Sequence, residues 1–150
     1  MPCLSGSFDP GDGIYHTVVV FPVPVHAQGG VISNQNLRNC KALFDTGAQV
    51  SCVSQRIAQS VGLTPRGRGS LVSASEIKET NVYLFTIGFV MGGTLNTQGA
   101  FSGHLAVFGP LQGLEIFAEE SDDVDVLIGM DVLGRGALHV GFDGRFMFSW

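Results

Sequence analysis

Short apolar runs separated by glycines and polar clusters dominate this chain, a pattern with the period and length of strands rather than helices. Ile14-Tyr15-His16-Thr17-Val18-Val19-Val20-Phe21 predicts a strand, and Pro22 and Pro24 confine the next residues to an edge or a bend. Leu37 to Phe44 predicts another. One helix is expected, with Ser54 capping Gln55 to Val61, Ile57, Ala58 and Val61 on one face, and Gly62 as the stop. Ser70 to Ala74, the polar stretch Ser75 to Asn81, and Val82 to Ile87 predict a long hairpin with a mobile tip. Gly92-Gly93 and Asn96 carry turn signals, and His104 to Phe108 and Val124 to Ile128 predict further strands. The tail from Ala137 to Trp150 reads as a hairpin about Asp143-Gly144. Met1 to Gly13, rich in Gly, Pro and Ser, predicts a flexible arm, which leaves 14–150 as one all-β domain with many turns.

Composition narrows the function. A chain of 150 residues is long enough for one domain with a real core. Apolar residues make up 45% and charged ones only 14%, so part of the apolar surface is expected to be covered by another subunit. A formal charge of −5 gives no reason to expect nucleic acid or an anionic membrane as partner, and Arg66 and Arg68 read as a solvated loop. Cys3, Cys40 and Cys52 lack metal-ligand spacing, and as thiols they fit a reducing, cytoplasmic setting. Neither a signal-peptide pattern at the start nor an apolar run of membrane-spanning length is present. His16, His26, His104 and His139 lie far apart, and the acidic run Glu119 to Asp125 lacks the glycine and terminal Glu of a calcium loop. No metal and no cofactor are expected.

The candidate chemistry lies at Phe44-Asp45-Thr46-Gly47-Ala48, where the apolar run Ala42-Leu43-Phe44 ends in a tight turn carrying one acid. The expectation is that Gly47 turns the chain with positive φ and that the Thr46 hydroxyl locks the turn. Far along the chain Asp125-Val126-Leu127-Ile128-Gly129-Met130-Asp131-Val132-Leu133 repeats the plan, an apolar run stopping at Gly129. Asp131 is expected to cap the short helical turn at Val132 and Leu133. Cys52 reads as a small core residue.

With these two segments in this order the chain resembles the retropepsin family, single-domain aspartic proteases. The resemblance implies a closed β-barrel acid-protease fold with one or two short helices, acting as a C2 homodimer on extended peptide or protein substrates. Asp45 would be catalytic, Thr46, Gly47 and Ala48 would form the active-site turn, and Ile128 and Gly129 the second turn. The Ser70–Ile87 hairpin would be the flap, with Ser73, Ala74 and Ser75 facing substrate. Because the Asp-Thr-Gly triplet occurs once, the second carboxylate of a dyad would come from a twin chain. Gln49 and Met130 stand where retroviral members often place an acid and an Arg, so an ion pair is replaced by a neutral couple. The apolar tail Phe146 to Trp150 is then expected at the dimer interface. Two other readings stay open: a catalytically silent dimerisation or peptide-binding module, and a pseudo-monomer pairing Asp45 with Asp131.

Overall fold

The computed structural model describes residues 1–22, 39–72, 76–95, 101–116 and 123–150. Its elements are, in order, β1 (Cys3–Ser7), β2 (Ile14–Pro22), β3 (Asn39–Phe44), β4 (Cys52–Ser54), α1 (Gln55–Ser60), β5 (Gly67–Val72) and β6 (Ile77–Leu95). Next come β7 (Phe101–Ile116), β8 (Val126–Ile128), α2 (Met130–Leu133), β9 (Ala137–Val140) and β10 (Arg145–Ser149). The chain is mostly β, with two short helices among the described residues.

Alternation in β2 decides which face packs where. Val18 and Val20 enter the main core, while Val19 and Phe21 form a second cluster with Val90 and Leu105. One edge of β2 pairs antiparallel with β3, Ile14 opposite Phe44, and the other with β6, Val18 opposite Phe89. From β3 the sheet continues through β8, β4, β7 and β6 to β5. β3 and β8 run parallel in register, Phe44 beside Ile128, so both strands stop at the same level.

α1 forms as its sequence dictates. The Ser54 hydroxyl accepts from the Ile57 backbone N–H at 3.3 Å, and Ile57 and Ala58 are buried. The hairpin foreseen between Ser70 and Ile87 is present as β5 and β6, registered from Gly67↔Val82 to Val72↔Ile77. Its second strand runs on to Leu95 without a break, where the glycine pair was expected to turn the chain. Gly92 and Gly93 instead sit inside β6 with φ of 146° and 136°, beside a register shift between Val90 and Gly92. An L-residue rarely adopts that backbone, so a signal read as a turn is a β-bulge.

The termini differ from expectation. Cys3–Ser7, placed by composition in a flexible arm, pairs along its whole length with Arg145–Ser149 in a sheet ordered β1, β10, β9. Leu4 is buried there, and apolar burial in a strand outweighs the local Gly and Ser content. The aromatic tail is core rather than free surface. Phe146 and Phe148 are buried, and Trp150 packs on Phe89, Phe108 and Phe148 with ring centroids 5.2–6.2 Å apart. Only Met147 of that strand's apolar residues points outward.

Candidate active site

The acid's position starts with the residue before it. Phe44 is buried against Phe89, Phe146 and Phe148, edge-on at centroid distances of 5.8, 5.6 and 6.2 Å. Three rings therefore fix the end of β3, and Asp45 emerges half-buried at the next position. Its backbone N–H donates to the Ile128 carbonyl at 3.0 Å, continuing the β3–β8 ladder by one bond.

Beyond Asp45 the chain turns. Ala48 N–H donates to the Asp45 carbonyl at 3.2 Å, and Gly47 N–H donates to Asp45 Oδ1 at 2.9 Å. That second bond aims the carboxylate along the turn and leaves Oδ2 without a bond to the described residues. Gly47 does not use positive φ, contrary to expectation. A Cβ there would lie 3.2 Å from Asp45 Oδ1, so a side chain at 47 would crowd the carboxylate that the Gly47 N–H holds. The Thr46 hydroxyl does not lock the turn either; it is exposed and makes no hydrogen bond among the described residues.

The two turns foreseen from sequence meet. Met130 N–H donates to Ala48 O at 2.8 Å, and Asp131 N–H to Gln49 O at 3.1 Å. A Cβ on Gly129 would lie 2.6 Å from the Val50 carbonyl carbon and 3.0 Å from Ala48 O, so the turns close this tightly because position 129 has no side chain. Thr46, Gly47, Ala48, Gln49, Met130 and Asp131 together line a surface recess beside the acid. Gln49 and Met130, the positions read as a neutral replacement for an ion pair, both line this recess.

Asp131 does not cap α2. That helix begins at Gly129 without a side-chain cap, and the Asp131 carboxylate turns instead to Ser51. It accepts from Ser51 N–H at 3.0 Å on both oxygens and from the Ser51 hydroxyl at 2.7 Å. The Ser51 oxygen in turn accepts from Gly129 N–H at 3.0 Å. Sequence reasoning missed Ser51. The available signal was a lone hydroxyl in the apolar context Val50-Ser51-Cys52-Val53, a polar group that burial obliges to find partners.

Ser73, Ala74 and Ser75 lie outside the described residues. The residues flanking them do not: Val72 and Ile77 stand opposite each other, each 70% exposed, on the predicted flap. At its base, Tyr83 OH and Asn81 Nδ2 both donate to Glu115 Oε2, and Thr80 Oγ1 donates to the Glu115 carbonyl at 3.1 Å. Burial and the neighbouring carboxylate push the Tyr83 phenol up to about 12.

Elsewhere, Asp125 accepts from Lys41 N–H at 2.9 Å and pairs with Arg56. No cluster of three metal-ligating side chains occurs among the described residues, and no helix there is long and apolar enough to cross a membrane.

This architecture is shared with a solved protein. The retropepsin-like aspartic protease from Rickettsia conorii matches with a TM-score of 0.60 over 98% of this chain and 89% of that one, at 15% identity. The retroviral protease-like domain of Ddi1 from Leishmania major matches with a TM-score of 0.44 and 19% identity, covering 87% and 82% of the two chains. No protein-family model matches the sequence, and neither does any curated protein. The fold is therefore retropepsin-like, on structural grounds alone.

Proposed function

We propose that this protein is an aspartic endopeptidase that works as a C2 homodimer on extended polypeptides. The carrying observation is the placement of Asp45. Within a retropepsin-like fold, one carboxylate stands at the end of a core strand, oriented by Gly47 N–H and braced by the turn at Gly129. Peptide hydrolysis by such chemistry needs two carboxylates sharing a proton, one taking a proton from water while the other donates to the scissile carbonyl. A twofold axis beside Asp45 would supply the second from an identical chain.

Three further features support the reading. The exposed Thr46 hydroxyl is available to a partner across the axis, and the paired β2 and β6 favour a closed barrel behind the site. The apolar pair Val72 and Ile77 gives the β5–β6 hairpin a surface suited to covering a bound strand; Ser73, Ala74 and Ser75 would face substrate in this reading. Asp131 is a poor candidate for an intramolecular second acid, because Ser51 occupies both of its oxygens. No cofactor enters this scheme, and thiols at Cys3, Cys40 and Cys52 suit a reducing compartment such as the cytoplasm.

The test is cleavage of a denatured protein library between about pH 4 and pH 7, wild type against Asp45→Asn, where general acid–base catalysis predicts a loss of at least ~10²-fold. Equal cleavage by both removes Asp45 from the mechanism. Peptide binding without turnover, unchanged by Asp45→Asn, would identify a silent binding module instead.

A further inference from the structure

The segment Ala48 to Ser51, which carries the chain away from the candidate acid, is clasped from two sides. On one side is Gly129, where any Cβ would meet Val50 and Ala48 backbone. On the other is Gly113 of β7, where a Cβ would lie 2.2 Å from Ser51 O and 2.6 Å from the Phe85 ring. A strand, β7, and the turn before α2 thus both forgo side chains where this segment passes. In the middle sits Ser51, fully buried, whose hydroxyl donates to Asp131 and accepts from Gly129 N–H. Its N–H donates to the same carboxylate.

We infer that Ser51 and Asp131 are positioning residues for Asp45, a hydrogen-bonded bolt that holds the acid-bearing turn in one register against the turn at Gly129. Resting on the aspartic-peptidase reading, the inference assigns to Asp131 a role distinct from that of a second catalytic acid. Two backbone bonds, from Met130 N–H to Ala48 O and from Asp131 N–H to Gln49 O, join the turns ahead of Ser51. The bolt adds three bonds that involve side chains at Ser51, two residues beyond the last of those carbonyls, so the segment is held against the Gly129 turn at further points along its length. At its buried end, Ser51, the network is fully bonded, the condition under which burial strengthens hydrogen bonds rather than penalising them. Shared-proton catalysis demands this stiffness, because a displacement of about 1 Å can cost ~10²-fold in rate.

The experiment compares Ser51→Ala, Asp131→Ala and Asp131→Asn with wild type and with Val20→Ala, a core variant on β2 far along the strand from the turn. Peptide cleavage and amide hydrogen exchange are both measured. The bolt predicts that Ser51→Ala and Asp131→Ala lower kcat by roughly 10- to 100-fold with KM little changed. Asp131→Asn, which keeps one acceptor for Ser51, recovers most of the loss. Val20→Ala lowers the melting temperature without that fall in kcat. Exchange at Ala48, Ser51, Gly129 and Met130 rises about tenfold in the alanine variants, while Phe146 to Ser149 stay as protected as in wild type. The inference is overturned if kcat is unchanged in a folded Ser51→Ala protein. It is equally overturned if Val20→Ala loses as much, or if exchange rises evenly through the chain. Should wild type cleave nothing, the peptidase reading falls, and the exchange pattern alone still decides whether the bolt holds the turn.

Discussion

The backbone N–H of Asp45 donates to the carbonyl of Ile128 at 3.0 Å, joining directly the two motifs that the sequence sets far apart. This bond places the acid at the level where β3 and β8 both end, so the catalytic candidate and the glycine turn form one surface. The neighbouring bonds from Met130 and Asp131 to Ala48 and Gln49 extend that seam past the turn.

Gly129 is where the seam is tightest, which makes it the sharpest point of attack. A Cβ there would meet backbone atoms at 2.6 and 2.8 Å, and backbone cannot swing aside as a side chain can. Gly129→Ala should destabilise by about 1–3 kcal/mol through overpacking. It should also cut peptide cleavage more than a core substitution of equal cost, because the displaced atoms belong to the acid's own turn. Urea unfolding and initial-rate measurements on the same sample check both parts. Wild-type stability with wild-type rates would show that the close approach is not needed.

Much of this was legible beforehand, and the failures have physical causes. The strands at Ile14 and Val126 announce themselves by continuous apolar runs, and α1 by a capping serine with apolar spacing, all local signals. The two turns could each be read from an apolar run ending in glycine, but the bond of Asp45 to Ile128 that joins them could not, because it spans the fold. Gly92-Gly93 misled because a bulge and a turn ask for the same backbone freedom. Cys3–Ser7 was misjudged because its pairing partner, β10, lies at the other end of the chain. The Asp131–Ser51 pair was missed for a related reason, since a side chain's partner across the fold leaves no mark on its immediate neighbours.

The terminal aromatics yield a second prediction. Phe148 is fully buried among Phe44, Phe89, Phe108 and Trp150, whereas Phe142, at the turn of the β9–β10 hairpin, is fully exposed. Phe148→Ala should destabilise by about 3–5 kcal/mol through lost transfer energy and an unfilled cavity. Phe142→Ser should leave the urea midpoint unmoved. Similar shifts in both would contradict the core assignment of the tail.

His16 makes stability depend on pH. Its Nε2 donates to the Val90 carbonyl at 3.1 Å, which requires the tautomer protonated at that nitrogen, and its ring lies against Phe89. Burial lowers its pKa, and the bond to Val90 opposes the shift only in part. With the folded value below the ordinary ~6.5, the unfolded chain takes up the proton more readily. The stability from this shift is fully present above about pH 6.5 and is lost as the pH falls through the lowered folded value. His16→Gln, which keeps a donor for Val90, should therefore lose less stability than wild type between about pH 7 and pH 5 in parallel urea titrations. Identical slopes would dismiss His16 as the titrating group.

At the root of the β5–β6 hairpin, Glu115 holds Tyr83 and Asn81 through one carboxylate oxygen. Val82 pairs with Gly67 on one side and Leu114 on the other, so this cluster sits where the hairpin leaves the body of the sheet. Tyr83→Phe removes a bond to a charged acceptor from a buried phenol and should cost about 1.5–3 kcal/mol. The raised phenol pKa also fixes a direction at high pH. Since the folded value is about 12 and the unfolded one ~10, the stability it brings is complete below pH ~10 and disappears as the pH rises through about 12. Tyr83→Phe should remove that alkaline loss, and Glu115→Gln should reduce it, because an amide still accepts the bond but carries no charge to repel a phenolate. Alkaline unfolding followed by circular dichroism distinguishes the three proteins. An alkaline limb unchanged in Tyr83→Phe would mean that the hairpin root is held by other contacts.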